Sequence, residues 1–438
     1  MATFHIWTLG CQMNQADSLK LAAGLERLGY RPTESDDAAD LVVINTCSVR
    51  QHAEDRAYSR LGVLRKRRAE GGGPRVAVMG CMVGPKTDEL RRRFPFVDAW
   101  ARPQQFDPIM ELAVEARDVS QGELGALAGD GMRRTYGLPS GPTAFVPVIH
   151  GCDKFCTYCI VPLRRGREQS RPVADVLDEV RFLADHGVRE VTLLGQTVEA
   201  YGQDLDEDAD LATLFEGIER VDSIVRTRFL TSYPKDMTDR IIDAVADLPK
   251  VCEHFNIPVQ SGSNAMLERM RRGYTVEEFE ERVARIRSRM PDAVLATDVI
   301  VGCPGESDEE FAHTVELLRR VRFNVIHAAA YSPRPGTYAA RKLADDVPRE
   351  VKKARLRVIE SLHAASAATH NDRMLGRTVE VLAEREEAGR TTGRTRGGQL
   401  VHFNGVKQVG RLVDVVIDQA TPWSLQGRLA GEIALAAI

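Results

Sequence analysis

Short apolar runs, most followed by an amphipathic stretch, recur from Phe4 to Ala330, and this rhythm limits the fold more than any other feature. Phe4–Leu9, Leu41–Asn45 and Arg75–Met79 read as strands, and Ala16–Leu28 and His52–Arg68 as helices. Strand–helix alternation implies a parallel sheet covered by helices. The rhythm resumes with Ala144–Ile149, Glu190–Leu194, Arg226–Leu230, His254–Ile257, Leu295–Val301 and Val325–Ala330. Helical patterns such as Asp175–His186 and Thr275–Arg289 alternate with them, which predicts a complete or partial β/α barrel. The Gly-, Ser- and Pro-rich stretch from Gly122 to Pro142 reads as the boundary between the two units. Val347 to Thr369 reads as one amphipathic helix. Thr378–Ala383, Thr391–Arg396, Leu400–Phe403, Leu412–Asp418 and Gly427–Leu435 then predict a small all-β barrel of the OB size class. The expected fold class is therefore α/β: a parallel-sheet domain over 1–120, a β/α-barrel core over 138–368 and a β-barrel over 371–434.

The 438 residues carry 28% charged and 43% hydrophobic side chains, ordinary for a water-soluble globular chain. No apolar run is long enough to span a bilayer. The start lacks a basic segment followed by an apolar one, so a cytoplasmic setting is expected. Eight cysteines are too few for a disulfide scaffold and point to metal, redox or core roles. A net charge of −4 means that any nucleic-acid contact must use local basic patches.

Cys152, Cys156 and Cys159 form C-x3-C-x2-C in GCDKFCTYC, directly after the first barrel strand. Loops at the C-terminal ends of barrel strands are where such folds place chemistry. Three thiolates on one loop can hold a [4Fe–4S] cluster that keeps one iron open. Structural zinc normally closes with four ligands, and His150 would be a strained fourth here. Metal-free burial is the remaining alternative. Cys11, Cys47 and Cys81 are distant in sequence, yet each follows an apolar run by about two residues, in HIWTLGC, LVVINTC and VAVMGC. Strand C-termini of a parallel sheet share one edge, so the three thiols are expected to converge there as a second site with a vacant position. Each alone would be an ordinary core residue. Cys252 and Cys303 follow no such rule and are expected to be inert packing.

The chain resembles the methylthiotransferase family of radical S-adenosylmethionine (SAM) enzymes. GCDKFCTYC is similar to the radical SAM signature. TLGCQMNQADS, VVINTCSVR, GCM, LLGQTVEAYG, TSYPKD, IPVQSGSNAMLERMRRGYT, TDVIVGCPGE and YSPRPGT extend the likeness over nearly the whole chain. QMN after Cys11 and SVR after Cys47 favour the branch acting on N6-dimethylallyladenosine of tRNA. The resemblance implies an amino-terminal methylthiotransferase domain, a radical SAM core and a carboxy-terminal TRAM domain that binds RNA. It implies two [4Fe–4S] clusters, with Cys152, Cys156 and Cys159 holding the one that binds and cleaves SAM. Cys11, Cys47 and Cys81 would hold the auxiliary one carrying the sulfur. The implied reaction is methylthiolation of carbon 2 of the isopentenylated adenosine at position 37, next to the anticodon, in two SAM-dependent steps. The implied partners are that tRNA, an electron donor of flavodoxin or ferredoxin type and a sulfur source, with the chain a monomer off the membrane. Sibling enzymes acting on threonylcarbamoyladenosine in tRNA or on a ribosomal protein aspartate are the alternatives within the family. A noncatalytic metal-containing RNA-binding protein is the alternative outside it.

Beyond the cysteines, Gln260 and Ser261, Gly302, and Gln196 each follow a barrel strand and are candidates for contact with SAM or the active rim. A simple turn is an equal reading for Gln260, Ser261 and Gly302. RNA-contact candidates are Arg164, Arg165 and Arg167, close after the cluster loop, and Trp423 in the last module. Arg65 to Arg68 and Arg91 to Arg93 are further basic runs, more readily solvated faces than sites. The last module has nine basic against eight acidic residues, so its RNA role rests on the TRAM resemblance. Leu163, Arg164, Asp153, Thr197 and Cys303 depart from the usual family pattern without removing a ligand.

Overall fold

The computed structural model describes residues 2–49, 51–85, 87–115, 132 and 135–431. Most of the proposed boundary at Gly122–Pro142 thus lies outside the described residues, as do the last residues of the fifth expected strand of the final module.

Leu41–Thr46 is buried along its whole length, and that explains the first domain. Leu41 and Val43 face one core with Phe4, Leu21 and Ile109, while Val42 and Ile44 face another with Leu61, Leu64 and Trp100. A strand apolar on both faces must lie inside a parallel sheet with helices on each side. The sheet order is β2 (Arg31–Pro32), β1 (Thr3–Thr8), β3 (Leu41–Thr46), β4 (Arg75–Gly80) and β5 (Ala99–Ala101). All its pairings are parallel. Helix Gln12–Arg27 serves one face and Gln51–Ala69 the other. The direction of winding reverses between β1 and β3, which makes their carboxyl ends the crevice of the domain.

The core carries six parallel strands as two half-sheets. One is β6 (Thr143–Pro147), β9 (Glu190–Leu194) and β10 (Arg226–Leu230). The other is β11 (His254–Asn256), β12 (Val294–Val301) and β13 (Val325–Ala330). A parallel bridge between Thr227 and Val251 joins them. No pairing closes β13 onto β6 among the described residues, so the barrel is partial. The expected strand Ala144–Ile149 is broken: after Pro147 the chain turns into β7 (Ile149–His150), which pairs antiparallel with β8 (Gln169–Ser170).

The long helix Arg349–Asp372 starts after Pro348, which lacks the N–H a helix interior needs. It leads into a closed barrel of β14 (Thr378–Glu387), β15 (Arg390–Thr395), β16 (Leu400–Asn404), β17 (Leu412–Ala420) and β18 (Leu425–Leu429). This module packs against the amino ends of the core strands. Arg226 and Arg228 of β10 donate to the carbonyls of Arg394, Thr395 and Arg396, and Arg396 pairs with Glu253.

Candidate cluster sites and their surroundings

The amino-terminal triad forms because three strands end on one edge. Cys11 precedes helix Gln12–Arg27, Cys47 follows β3 and Cys81 follows β4. Their thiols are mutual electrostatic neighbours, Cys81 feeling both Cys47 and Cys11. Gly10 allows the approach: it sits at φ +114°, and a Cβ there would lie 2.6 Å from Cys47 Cβ. The loops are pinned by side chains that sequence reading missed. Asn14 donates to the carbonyls of Leu9 (2.6 Å) and Thr46 (2.9 Å). Thr46 Oγ1 donates to Met79 O, and Ser48 Oγ to Cys81 O. Asn14 lies in the QMN segment directly after Cys11, which was the available signal.

The core triad follows β7. Cys152 and Cys156 are buried and Cys159 partly so. Hydrogen-bond donors point at these sulfurs: Lys154 N–H to Cys152 Sγ at 3.4 Å and Arg272 Nη1 to Cys156 Sγ at 3.3 Å. The Thr197 hydroxyl stands 3.6 Å from Cys152 Sγ, so this departure from the family pattern touches the site. Arg272 is boxed by Tyr274, Tyr233 and Tyr158, and it also was missed, although it lies in the RRGYT segment. Burial pushes Cys81 up to about 11 and Cys159 up to about 12, so the bare thiols keep their protons until a metal displaces them.

None of the eight cysteines forms a disulfide. Among the described residues no three Cys, His, Asp or Glu side chains close in tightly enough to hold one ion. Mononuclear zinc needs its donors gathered within about 4 Å of each other. A cubane is different, since each thiolate takes its own iron. Two all-sulfur triads, the core one flanked by N–H donors, fit such clusters.

The other candidates fare unequally. Gln196 and Gln260 each present a buried Oε1 with no hydrogen-bond partner, and Gln260 holds φ +70° beside β12. An unpartnered buried acceptor is costly and suits a ligand. Ser261 is fully buried and bonds Thr314, a structural contact. Gly302 turns at φ +70° under Lys352, whose Cγ would be 2.3 Å from an added Cβ, so packing accounts for this glycine. Cys303 packs with Met266, Met270 and Tyr331, and Cys252 is buried beside Arg228. Arg165 does not face solvent. Its side chain is 3% exposed and turned onto Asp17 and Asn14, unavailable to a phosphate. Arg164 leans on Gly84 of the first domain, and Arg167 is exposed but paired with Asp153 at 2.6 and 2.7 Å. Trp423 is 61% exposed, with its edge against His363. A cleft of about 810 Å³ between the domains is lined by Lys20, Arg102, Arg165 and Arg171, but by none of the six cysteines.

Three family models match in order: the uncharacterized protein family UPF0004 over residues 3–101, the radical SAM superfamily over 146–318 and the TRAM domain over 372–430. A tRNA-2-methylthio-N(6)-dimethylallyladenosine synthase of Dehalococcoides mccartyi (strain 195) is 42% identical, covering 98% of this chain and 99% of its own. The chain belongs to that synthase family. Synthases of the same name from Roseiflexus sp. (43%; 98% and 89% covered) and Chloroflexus aurantiacus (42%; 97% and 91%) agree. The radical SAM methyltransferase TsrM from Kitasatospora setae matches the fold with a TM-score of 0.56 at 14% identity, covering 90% of this chain and 81% of its own. The cobalamin-dependent radical enzyme OxsB gives 0.53 at 12%, covering 83% and 56%. At such identities the likeness concerns the fold alone.

Proposed function

We propose that Cys152, Cys156 and Cys159 hold the SAM-binding [4Fe–4S] cluster and Cys11, Cys47 and Cys81 the auxiliary, sulfur-carrying one. The chain is a transferase that methylthiolates carbon 2 of N6-dimethylallyladenosine next to the anticodon of tRNA. The observation that carries this reading is the pair of three-thiol sites on adjoining domains of a chain 42% identical, almost end to end, to synthases of that name. When bound, the clusters and SAM supply radical generation and the transferable sulfur. The protein supplies the rest. Lys154 N–H and Arg272 favour ionised sulfur at the core triad. Gln196 and Gln260 offer acceptors at the strand ends for SAM or substrate. The TRAM module and Trp423 contribute RNA contact. The electron comes from a flavodoxin- or ferredoxin-type donor, sulfur from a separate source, and the chain works as a cytoplasmic monomer. Among the described residues no helix is long and apolar enough to cross a membrane.

Anaerobic reconstitution tests this directly. Two cubanes predict about eight irons per chain, together with conversion of isopentenylated tRNA to its 2-methylthio form. One zinc per chain and no conversion would support a noncatalytic RNA-binding protein. Undiminished methylthio-isopentenyl-adenosine in tRNA from a deletion strain would overturn the substrate.

A further inference from the structure

Arg165 ends the short helix Val161–Arg165, six positions after Cys159, yet its guanidinium lies in the other domain's site. Nη2 donates to Asn14 Oδ1 at 2.8 Å and stands 3.4 Å from Asp17 Oδ2. Asn14 is the side chain that ties together the strand ends bearing Cys11 and Cys47. The other amino nitrogen, Nη1, is buried and meets no well-aligned acceptor, while the guanidinium as a whole bonds toward the sulfur of Cys81. Cys81, Asp17 and Cys11 are all close electrostatic neighbours of this guanidinium. A buried cationic N–H without a well-aligned acceptor is costly, so its persistence beside Cys81 points to an anionic sulfur partner.

We propose that Arg165 is a positioning residue for sulfur transfer, its Nη1 donating to the anionic sulfur held at the Cys11, Cys47 and Cys81 site. This rests on reading that triad as the auxiliary cluster site. The auxiliary site is then completed by the core domain and exists in full only when the two domains are docked. Three thiolates and a bound sulfide concentrate negative charge in a buried place. A guanidinium from the neighbouring domain offsets it, and hydrogen bonds to sulfur raise a cluster's reduction potential. Arginine suits the task because its fork lets Nη2 grip Asn14 while Nη1 stays free, which a lysine cannot do. The core triad has the same arrangement, Arg272 donating to Cys156 Sγ. The short segment from Cys159 to Arg165 therefore binds the geometry of one site to that of the other.

The test uses anaerobically reconstituted full-length chain: wild type, R165Q, R165K and R27Q, which loosens the segment joining the two domains. Arg27 ties helix Gln12–Arg27 to Thr135, in the segment that leads into the core domain, without touching the thiols. Iron content, an EPR-monitored redox titration, 5′-deoxyadenosine release and methylthiolated product are measured. R165Q should keep wild-type iron and deoxyadenosine release within about twofold, and lose about tenfold or more of the product. Its auxiliary cluster should titrate at a more negative potential, with R165K between R165Q and wild type and R27Q like wild type. An unchanged potential and product in R165Q would overturn the proposal. So would parallel losses of iron and of both activities in R165Q and R27Q, because that pattern means docking alone. A wild-type count near four irons would instead overturn the triad assignment.

Discussion

A buried thiol binds iron only by giving up its proton, so the groups that stabilise thiolate decide where clusters form. Cys156 has Arg272 at 3.3 Å and Cys81 has Arg165, whereas Cys303 sits among methionines with Glu306 raising it further. Cys156→Ala should reduce SAM cleavage to background, read as 5′-deoxyadenosine release. Cys47→Ala should retain some cleavage and stop sulfur insertion, and methylthiolated product from that variant would contradict the auxiliary-site assignment. Glu199 offers a pH test away from the thiols. Burial pushes its carboxyl up to about 8, against donors from Ser232 and the Tyr233 N–H that pull it down. The unfolded chain releases this proton near its ordinary value of 4.5. The folded chain therefore holds the extra proton between those values, and stability falls as pH rises through that window. Glu199→Gln removes this loss, so its melting temperature relative to wild type should rise from pH 5 to pH 8. A constant difference would refute the buried-acid reading. Trp423 is exposed on the TRAM module, and Trp423→Ala should cost about 1–3 kcal/mol of tRNA affinity while leaving the melting temperature unchanged.

Among the elements, β10 has the most unusual composition for a buried strand. Arg226 is fully buried and Arg228 nearly so, and both reach out of the barrel's amino end into the last module. Glu190 on β9 accepts from Arg228 at 2.9 Å, and Glu380 on β14 from Arg226 at 2.8 Å. These charges were legible only as strand residues. Their role depends on carbonyls more than 150 positions away. Removing one partner of a buried pair strands the other, so Arg228→Ala should destabilise by about 3–5 kcal/mol. Thermal unfolding of the metal-free chain measures it, and limited proteolysis should show the TRAM module released first. An unchanged profile would mean that apolar packing alone holds the module. The missed β5 shows the opposite limit: Ala99–Ala101 is too short to declare itself by periodicity and is a strand because β4 offers it an edge.

At the scale of the molecule, the three domains divide the barrel between them. The TRAM module covers the amino ends of the core strands, and the first domain docks by helix Gln12–Arg27 beside β6, near the carboxyl ends. The open side of the barrel lies between β13, where His327, Ala329 and Ala330 are exposed, and β6. On the proposed assignment, a tRNA held by the TRAM module has to reach around the barrel to the two cysteine triads. The sequence by itself determined the parallel sheets, the three first-domain cysteines at matching strand ends and the three others on one loop, because hydrophobic period, strand polarity and residue spacing are local properties. It also carried the family, through motifs spread over nearly the whole chain. Only the tertiary structure decided what the charged side chains do. Arg165 read as a surface contact and lies buried between domains, and Arg272 and Asn14 drew no notice though they touch the sites. A long flexible side chain can serve solvent or a neighbour equally well, and nothing within a few residues of it says which; the packing of distant segments makes that choice.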